Sequence, residues 1–309
     1  MAEEKHEHEP VLREAALHAL RITPDGTYVD ATYGRGGHSA AILAALSQRG
    51  RLFAIDRDPE AVAAAERAFG TDGRFRIARG RFSLLDALLQ EHGLTGTVDG
   101  VLFDLGVSSP QLDNAHRGFS FARDGPLDMR MDPDAGKPLQ DWLAEVSEAE
   151  LSKTIAEYGE ERYARRIARA ITNVRKEQRI TRCSQLAQIC AAAVPRREPG
   201  KHPATRTFQA LRIAVNDELG ELQTALPQAA ARLAHGGRLV VISFHSLEDR
   251  VVKRFLRGPR LERRRQRLPD NRPRHILRPL GKAQRAGSEE VRRNPRARSA
   301  VLRVAERIA

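Results

Sequence analysis

A glycine-rich turn headed by an aspartate is the first feature of this sequence able to do chemistry. It reads Asp30-Ala31-Thr32-Tyr33-Gly34-Arg35-Gly36-Gly37-His38-Ser39 and joins a strand-like run to a helix-like one. Glycines there let the backbone turn tightly and approach a ligand closely. Asp56 ends the next strand-like run, 20 residues after Gly36. A carboxylate at that place can accept hydrogen bonds from both ribose hydroxyls of an adenosine. Strand, glycine turn, helix, strand and terminal Asp together point to a nucleoside cofactor. A dinucleotide would want the spacing G-x-G-x-x-G, with its pyrophosphate on the helix N-terminus. Here the glycines are 34, 36 and 37, so the third is misplaced. Asp30 suits a ligand carrying an amino group and a sulfonium better than it suits a pyrophosphate. The loop therefore favours S-adenosylmethionine (SAM).

The elements that must hold this loop follow from short apolar runs. TYVDATY (27–33), RLFAIDRD (51–58), RFRIARG (74–80) and VDGVLFDLG (98–106) are rich in β-branched and aromatic residues and are bounded by Gly, Asp or Pro. An Ala/Leu helix, HSAAILAALSQ, lies between the first two. PEAVAAAERAF follows the second, with Pro59 suited to a first helical turn. This βαβαβ rhythm predicts a parallel sheet covered by helices.

After about residue 112 helical segments follow one another without a strand. Ser147 and Glu150 read as a capping box. Tyr163, Ile167, Ala170, Ile171 and Val174 form one helical stripe, and SQLAQICAAAV stops before Pro195. A further helix carries Phe208, Leu211, Val215, Leu219, Leu222 and Leu226. Strand character returns at GRLVVISFH (237–245), and HILRPL and SAVLRVAERI suggest a terminal hairpin. The expectation is an α/β domain in two parts, 1–112 and 213–309, interrupted by a helical substrate-recognition insert at 113–212.

Charge narrows the partners. The chain has 309 residues and a net charge of +12. From Arg250 to Ala309 there are 20 Lys/Arg and 5 Asp/Glu, whereas the rest of the chain holds 32 and 35. So lopsided a segment is expected to meet a polyanion. No run of about 18 apolar residues is present, so no transmembrane helix is expected. MAEEKHEHEP does not read as a signal peptide. Cys183 and Cys190 lie seven apart in a helical-looking segment, which disfavours a disulfide, resemble no zinc or iron–sulfur set, and read as buried small hydrophobes. A reducing, cytoplasmic location follows. His6 and His8 lack further ligands, and no metal is expected.

A longer set of motifs makes the match specific. Phe103-Asp104-Leu105-Gly106-Val107-Ser108-Ser109-Pro110-Gln111-Leu112-Asp113 is followed by Arg117-Gly118-Phe119-Ser120-Phe121 and Asp124-Gly125-Pro126-Leu127-Asp128-Met129-Arg130-Met131-Asp132. With His8-Glu9-Pro10-Val11-Leu12, the glycine loop, Ser243-Phe244-His245-Ser246-Leu247-Glu248-Asp249-Arg250 and Asn294-Pro295-Arg296-Ala297-Arg298-Ser299, the chain resembles the bacterial RsmH (MraW) family over nearly its whole length. The resemblance implies a Rossmann-like class I SAM-dependent methyltransferase sheet with an inserted helical domain. It implies methylation of the exocyclic N4 of a decoding-site cytidine in 16S rRNA, with the small ribosomal subunit as partner. It also implies that Gly36, Gly37 and His38 line the methionine and ribose side, that Asp56 holds the ribose, that Phe82 packs on the adenine, and that Asp104 and Gln111 complete the pocket.

A cytosine N4 amine is a poor nucleophile, because its lone pair is delocalised into the ring. It needs acceptors for its hydrogens and in-line alignment with the methyl group. Many amino-methyltransferases use an Asn/Asp-Pro-Pro-aromatic loop after the fourth strand. Here that place reads Asp104-Leu-Gly-Val-Ser108-Ser109-Pro110-Gln111, polar but without a stacking aromatic. Asp104, Ser108, Ser109 and the carbonyls of 105–109 are the candidate catalytic acceptors. Phe119 and Phe121 could stack on the base or serve as core. His245 reads as a loop histidine ahead of a pocket base. Arg165, Arg166 and Arg169 on one helical face, and Arg263, Arg264 and Arg265 in the basic tail, are the candidate RNA contacts. Oligomeric state stays open between monomer and homodimer. The competing functions are an NAD-dependent oxidoreductase, a non-catalytic RNA-binding assembly factor and a DNA amino-methyltransferase. The glycine spacing, the intact cofactor loop and the missing aromatic argue against them in turn.

Overall fold

The computed structural model describes residues 10–196, 198–258 and 276–309. The chain divides into two units, Met1–Gly106 with Leu219–Ala309, and Val107–Glu218. Each is considered by itself.

The first unit is built on one sheet. Its strands are β1 (Thr27–Asp30), β2 (Arg51–Asp56), β3 (Phe75–Arg79), β4 (Val98–Asp104), β5 (Leu233–Ser243), β6 (Leu277–Pro279), β7 (Gln284–Arg285) and β8 (Val301–Arg307). Their order is β3-β2-β1-β4-β5-β8-β6, with β7 also paired to β8. The first five are mutually parallel. β8 runs antiparallel to β5, and β6 and β7 run antiparallel to β8. The two late runs pair antiparallel, as the sequence suggests. β8 also pairs with β5, so it lies between β5 and β6, and β6 is the edge strand.

Both faces of the parallel strands are covered, as such sheets require. Val29, Phe53, Val101, Phe103, Leu239 and Val241 point to one core with Leu222, Leu226 and Ala229 of the helix Glu218–Arg232. Tyr28, Leu52, Ala54, Leu102, Val240 and Ile242 point to the other with Leu20, Ile42 and Leu43. Period-two alternation thus feeds two cores, so neither face offers a polar stripe. The helix Pro59–Phe69 forms where the sequence marks it: Pro59 occupies the first turn and Asp58 accepts a hydrogen bond from Glu60 N at 3.1 Å.

The second unit holds a core of its own, with Leu127, Met129, Leu151, Ile155, Ile167, Ile171, Leu186 and Cys190 buried together. Its helices include Glu148–Gly159, Ala164–Glu177, Cys183–Ala193 and Thr205–Asn216. Ser147 caps the first of these, accepting from Glu150 N at 3.1 Å. Burial pushes the Cys183 thiol up to about 11 and the Cys190 thiol up to about 12, so both behave as small hydrophobes. The long helix read through Phe208 and Leu226 is two helices. Asp217 sits at φ 50 and ends Thr205–Asn216, and Glu218–Arg232 begins afresh. Aspartate tolerates the left-handed region, and the apolar spacing simply continues across the break.

Candidate active site

The carboxyl ends of β1, β2 and β4 meet at one rim of the sheet, because β1 lies between the other two. β1 ends at Asp30, which is fully buried. Its carboxylate accepts Ser39 Oγ at 2.7 Å and Thr32 N at 3.2 Å. Burial raises its pKa, and the Ser39 hydrogen bond works against that rise. Asp30 thus ties the start of the glycine loop to the helix Gly37–Ala45 behind it. Ser39 and Thr32 were not picked out from the sequence. Hydroxyls flanking the glycines, two residues before Gly34 and two after Gly37, were the available signal.

The glycines are required by the space they leave. Gly36 has φ +75, and a Cβ there would lie 2.3 Å from Tyr33 Oη. A Cβ on Gly37 would lie 2.2 Å from Pro10 Cγ. Only bare backbone fits at the head of this helix, whose first N–H groups are left without intrahelical partners.

Asp56 ends β2 beside the loop. It accepts Gly34 N at 2.7 Å through Oδ2 and Asp58 N at 2.9 Å through Oδ1. Burial pushes its carboxyl up to about 6, although both backbone N–H groups pull it down. A carboxylate has lone pairs beyond these two bonds. It is therefore an anchored acceptor able to take two ribose hydroxyls.

His38 and Asp104 form the third element. The His38 Nε2 to Asp104 Oδ2 distance is 3.5 Å, and His38 is only 5% exposed. Both ring nitrogens and Asp104 Oδ1 are buried without a hydrogen-bond partner. Burial alone would lower the His38 pKa, but Asp104 and then Asp30 outweigh it, and the net shift is upward. The backbone of Asp104 is fixed by its N–H donating to Thr32 Oγ1 at 2.6 Å. Buried polar atoms are rarely left unpaired, so three in one corner mark a place that expects a polar ligand. Phe82, half-buried, follows β3 and packs edge-on against Phe103, centroids 5.7 Å apart. A glycine cradle, an anchored ribose acceptor, unsatisfied polar atoms and an aromatic face fit an adenosine bearing an amino acid.

The remaining expected residues lie in the second unit. Ser108 caps the short helix Ser109–Asp113, and its N–H donates to Gln111 Oε1 at 3.0 Å. Gln111 and Ser109 are buried. Phe119 is buried in the helical core, and Phe121 stacks on His202 at 4.6 Å and packs edge-on against Phe208. Both aromatics are thus engaged in packing. Arg165, Arg166 and Arg169 are exposed and, with Ala170, Asn173 and Ala193, line a groove of about 510 Å³ that no carboxylate lines. Arg169 also stands 3.6 Å from Glu148, with both side chains largely in solvent. Arg263, Arg264 and Arg265, and His8-Glu9 of the first motif, lie outside the described residues. Among the described residues no helix is long and apolar enough to cross a membrane.

Comparison with known proteins agrees with this geometry. The family model described as the MraW methylase family matches residues 5–308. A protein from Thioalkalivibrio sulfidiphilus named ribosomal RNA small subunit methyltransferase H is 57% identical over 306 residues, covering 98% of this chain and 98% of that protein. A protein of the same name from Methylococcus capsulatus is 57% identical over 298 residues, covering 95% and 98%. Among solved structures, an rRNA methylase from Streptococcus thermophilus aligns over 96% of this chain and 94% of its own, with 12% identity and a TM-score of 0.43. NSun6 from Pyrococcus horikoshii with SFG aligns over 97% and 53%, with 11% identity and a TM-score of 0.46. A match that runs from end to end, on a chain whose glycine loop, Asp56 and Asp104 share one sheet rim, shows that this protein belongs to the MraW methylase family and is a SAM-dependent methyltransferase.

Proposed function

We propose that this protein transfers a methyl group from SAM to the exocyclic N4 of a decoding-site cytidine in 16S rRNA. The supporting observation is the 57% identity, over 98% of both chains, to a small-subunit rRNA methyltransferase H. The N4 target rests on the motif resemblance, and the sheet rim is suited to it. SAM, when bound, supplies a methyl group already activated on a sulfonium, so neither a metal nor a strong base is demanded. The protein's task is then to position and to accept hydrogens. Gly36, Gly37 and His38 flank the methionine end, Asp56 holds the ribose, and Phe82 covers the adenine. Asp104 closes the pocket at the end of β4. Asp104, Ser108, Ser109 and the carbonyls of 105–109 accept the N4 hydrogens while the amine lone pair forms the new N–C bond and the electron pair of the broken S–C bond stays on sulfur. The proton then leaves to solvent.

Mass spectrometry of 16S rRNA from cells with and without the gene tests the reading. The expected result is one cytidine that lacks a methyl group on N4 when the gene is absent. An unchanged modification pattern would overturn it.

The helical unit is proposed to recognise the RNA. Its segment 151–199 holds 11 Lys/Arg against 5 Asp/Glu. Each phosphate contact contributes a slope of about 0.7 to 0.9 in log K against log salt. Replacing Arg165, Arg166 and Arg169 together with glutamine should therefore flatten that slope by roughly 2 and leave SAM affinity unchanged. Filter binding at several salt concentrations reads both quantities. An unaltered slope would remove these arginines from the interface.

A further inference from the structure

β5 ends beside β4 at the same rim as Asp104. Leu105 N donates to Ile242 O at 3.0 Å, and the Phe244 ring lies 3.5 Å from where a Cβ of Gly106 would stand. Three residues there carry polar side chains that the reading above does not use. Ser243 is 1% exposed and its Oγ has no hydrogen-bond partner. The His245 side chain is 9% exposed and its Nε2 has no hydrogen-bond partner. Glu248 is 2% exposed, and its Oε2 accepts Phe244 N at 2.8 Å and His245 N at 3.2 Å.

The imidazole's tautomer follows from its neighbours. His245 caps the helix Ser246–Arg257, and Glu248 N donates to His245 Nδ1 at 3.4 Å. A backbone N–H can only donate, so Nδ1 is an acceptor and the ring proton sits on Nε2. Nε2 stands 3.1 Å from Glu248 Oε1, but the carboxylate is off the N–H direction and no hydrogen bond forms. The result is a buried N–H donor without an acceptor, on a ring held at Nδ1 by the Glu248 backbone N–H. Capping does not explain it. Ser, Thr, Asp and Asn are the preferred caps, and the cap here uses Nδ1 alone, so Nε2 has no part in it.

We infer that His245 is a substrate-contacting residue whose Nε2–H donates to the ring nitrogen N3 of the target pyrimidine, with Glu248 holding the imidazole in that tautomer. N3 adjoins the carbon that bears the amine, so a donor on N3 fixes the direction in which the amine faces. The inference rests on the cytidine-N4 reading.

His245→Ser keeps a capping oxygen and removes the donor. On native RNA its kcat/KM should fall by about ten- to a hundredfold, while melting temperature and SAM affinity stay at the wild-type values. RNA carrying 3-deazacytidine at the target lacks the N3 acceptor. The wild-type protein should lose a similar factor on that RNA, and His245→Ser should lose nothing further, which closes a double-mutant cycle. Full activity of His245→Ser, full wild-type activity on the deaza substrate, or two losses that simply multiply would each overturn the assignment. Should His245→Ser melt early, His245→Asp provides a second capped variant that only accepts, and the deaza arm needs no variant. The two readings fail separately. Methyl groups mapped to another base would defeat the N4 reading, whereas unimpaired His245→Ser with the methyl group on cytidine N4 would defeat this one alone.

Discussion

Replacing Asp56 with alanine is expected to weaken SAM binding by a hundredfold or more. The carboxylate is placed to take two ribose hydroxyls, and hydrogen bonds to a charged group are worth roughly 1.5 to 3 kcal/mol each. Losing both amounts to at least about 3 kcal/mol, or two powers of ten in Kd. The variant also deprives Gly34 N and Asp58 N of their acceptor, which loosens the loop that carries the glycines. Asp56→Asn retains the shape and one acceptor, so it should lose less. Isothermal titration of both variants with SAM measures the effect, and wild-type affinity in Asp56→Ala would remove this residue from the pocket. Acidity provides a second check. Burial raises the Asp56 pKa to about 6, so in the free protein the group takes up a proton as pH falls through 6. The ribose hydroxyls prefer the ionised form. Affinity should therefore drop below pH 6, by at most about tenfold per pH unit. That component should vanish in Asp56→Asn. A decline at low pH that persists in the variant belongs to other groups.

The parts of this site that were legible in the sequence were those with local signatures. Gly36 and Gly37 announce themselves because only glycine tolerates the φ and the crowding at Tyr33 and Pro10. Asp58 and Pro59 mark a helix start by chemistry that operates within a few residues. What stayed hidden depends on partners far along the chain. β4 follows β3 in sequence yet pairs with β1, and nothing local says so. Thr32 became visible as a site residue only when β4 brought Asp104 N within 2.6 Å. The orphaned nitrogens of His38 could not be read at all, since an unpaired atom is a property of the fold rather than of the residue. The break at Asp217 was missed for the opposite reason. Apolar spacing persisted across it, and periodicity alone cannot see one residue in the left-handed region.

The same distinction applies to the motif at 124–132, which carries part of the family resemblance in the sequence. In the structure it is largely internal. Leu127 and Met129 are fully buried, Met131 is 8% exposed, and Asp128 pairs with Arg130 at 2.8 Å. A Cβ on Gly125 would lie 1.8 Å from Ala115 O, so that glycine answers to packing. Met129 itself stands at φ 61. Asn216 holds this strained segment. Its Oδ1 accepts Met131 N at 2.8 Å, and its Nδ2 donates to Met129 O at 2.7 Å and Arg212 O at 2.9 Å. At 2% exposure water cannot replace it. Asn216→Ala would leave the Met131 N–H and the Met129 carbonyl buried without partners, at about 1 to 3 kcal/mol each. A loss near 3 kcal/mol should lower the melting temperature by about 10 °C. Amide exchange at Met131 should accelerate in step, because the opening that exposes it becomes cheaper. Unchanged melting with Met131 still protected would show that the segment is held by its neighbours, Leu127 and Met131 in the core, rather than by this amide. Either result separates two explanations for one motif. On the present geometry the residues from 124 to 132 build the core of the helical unit.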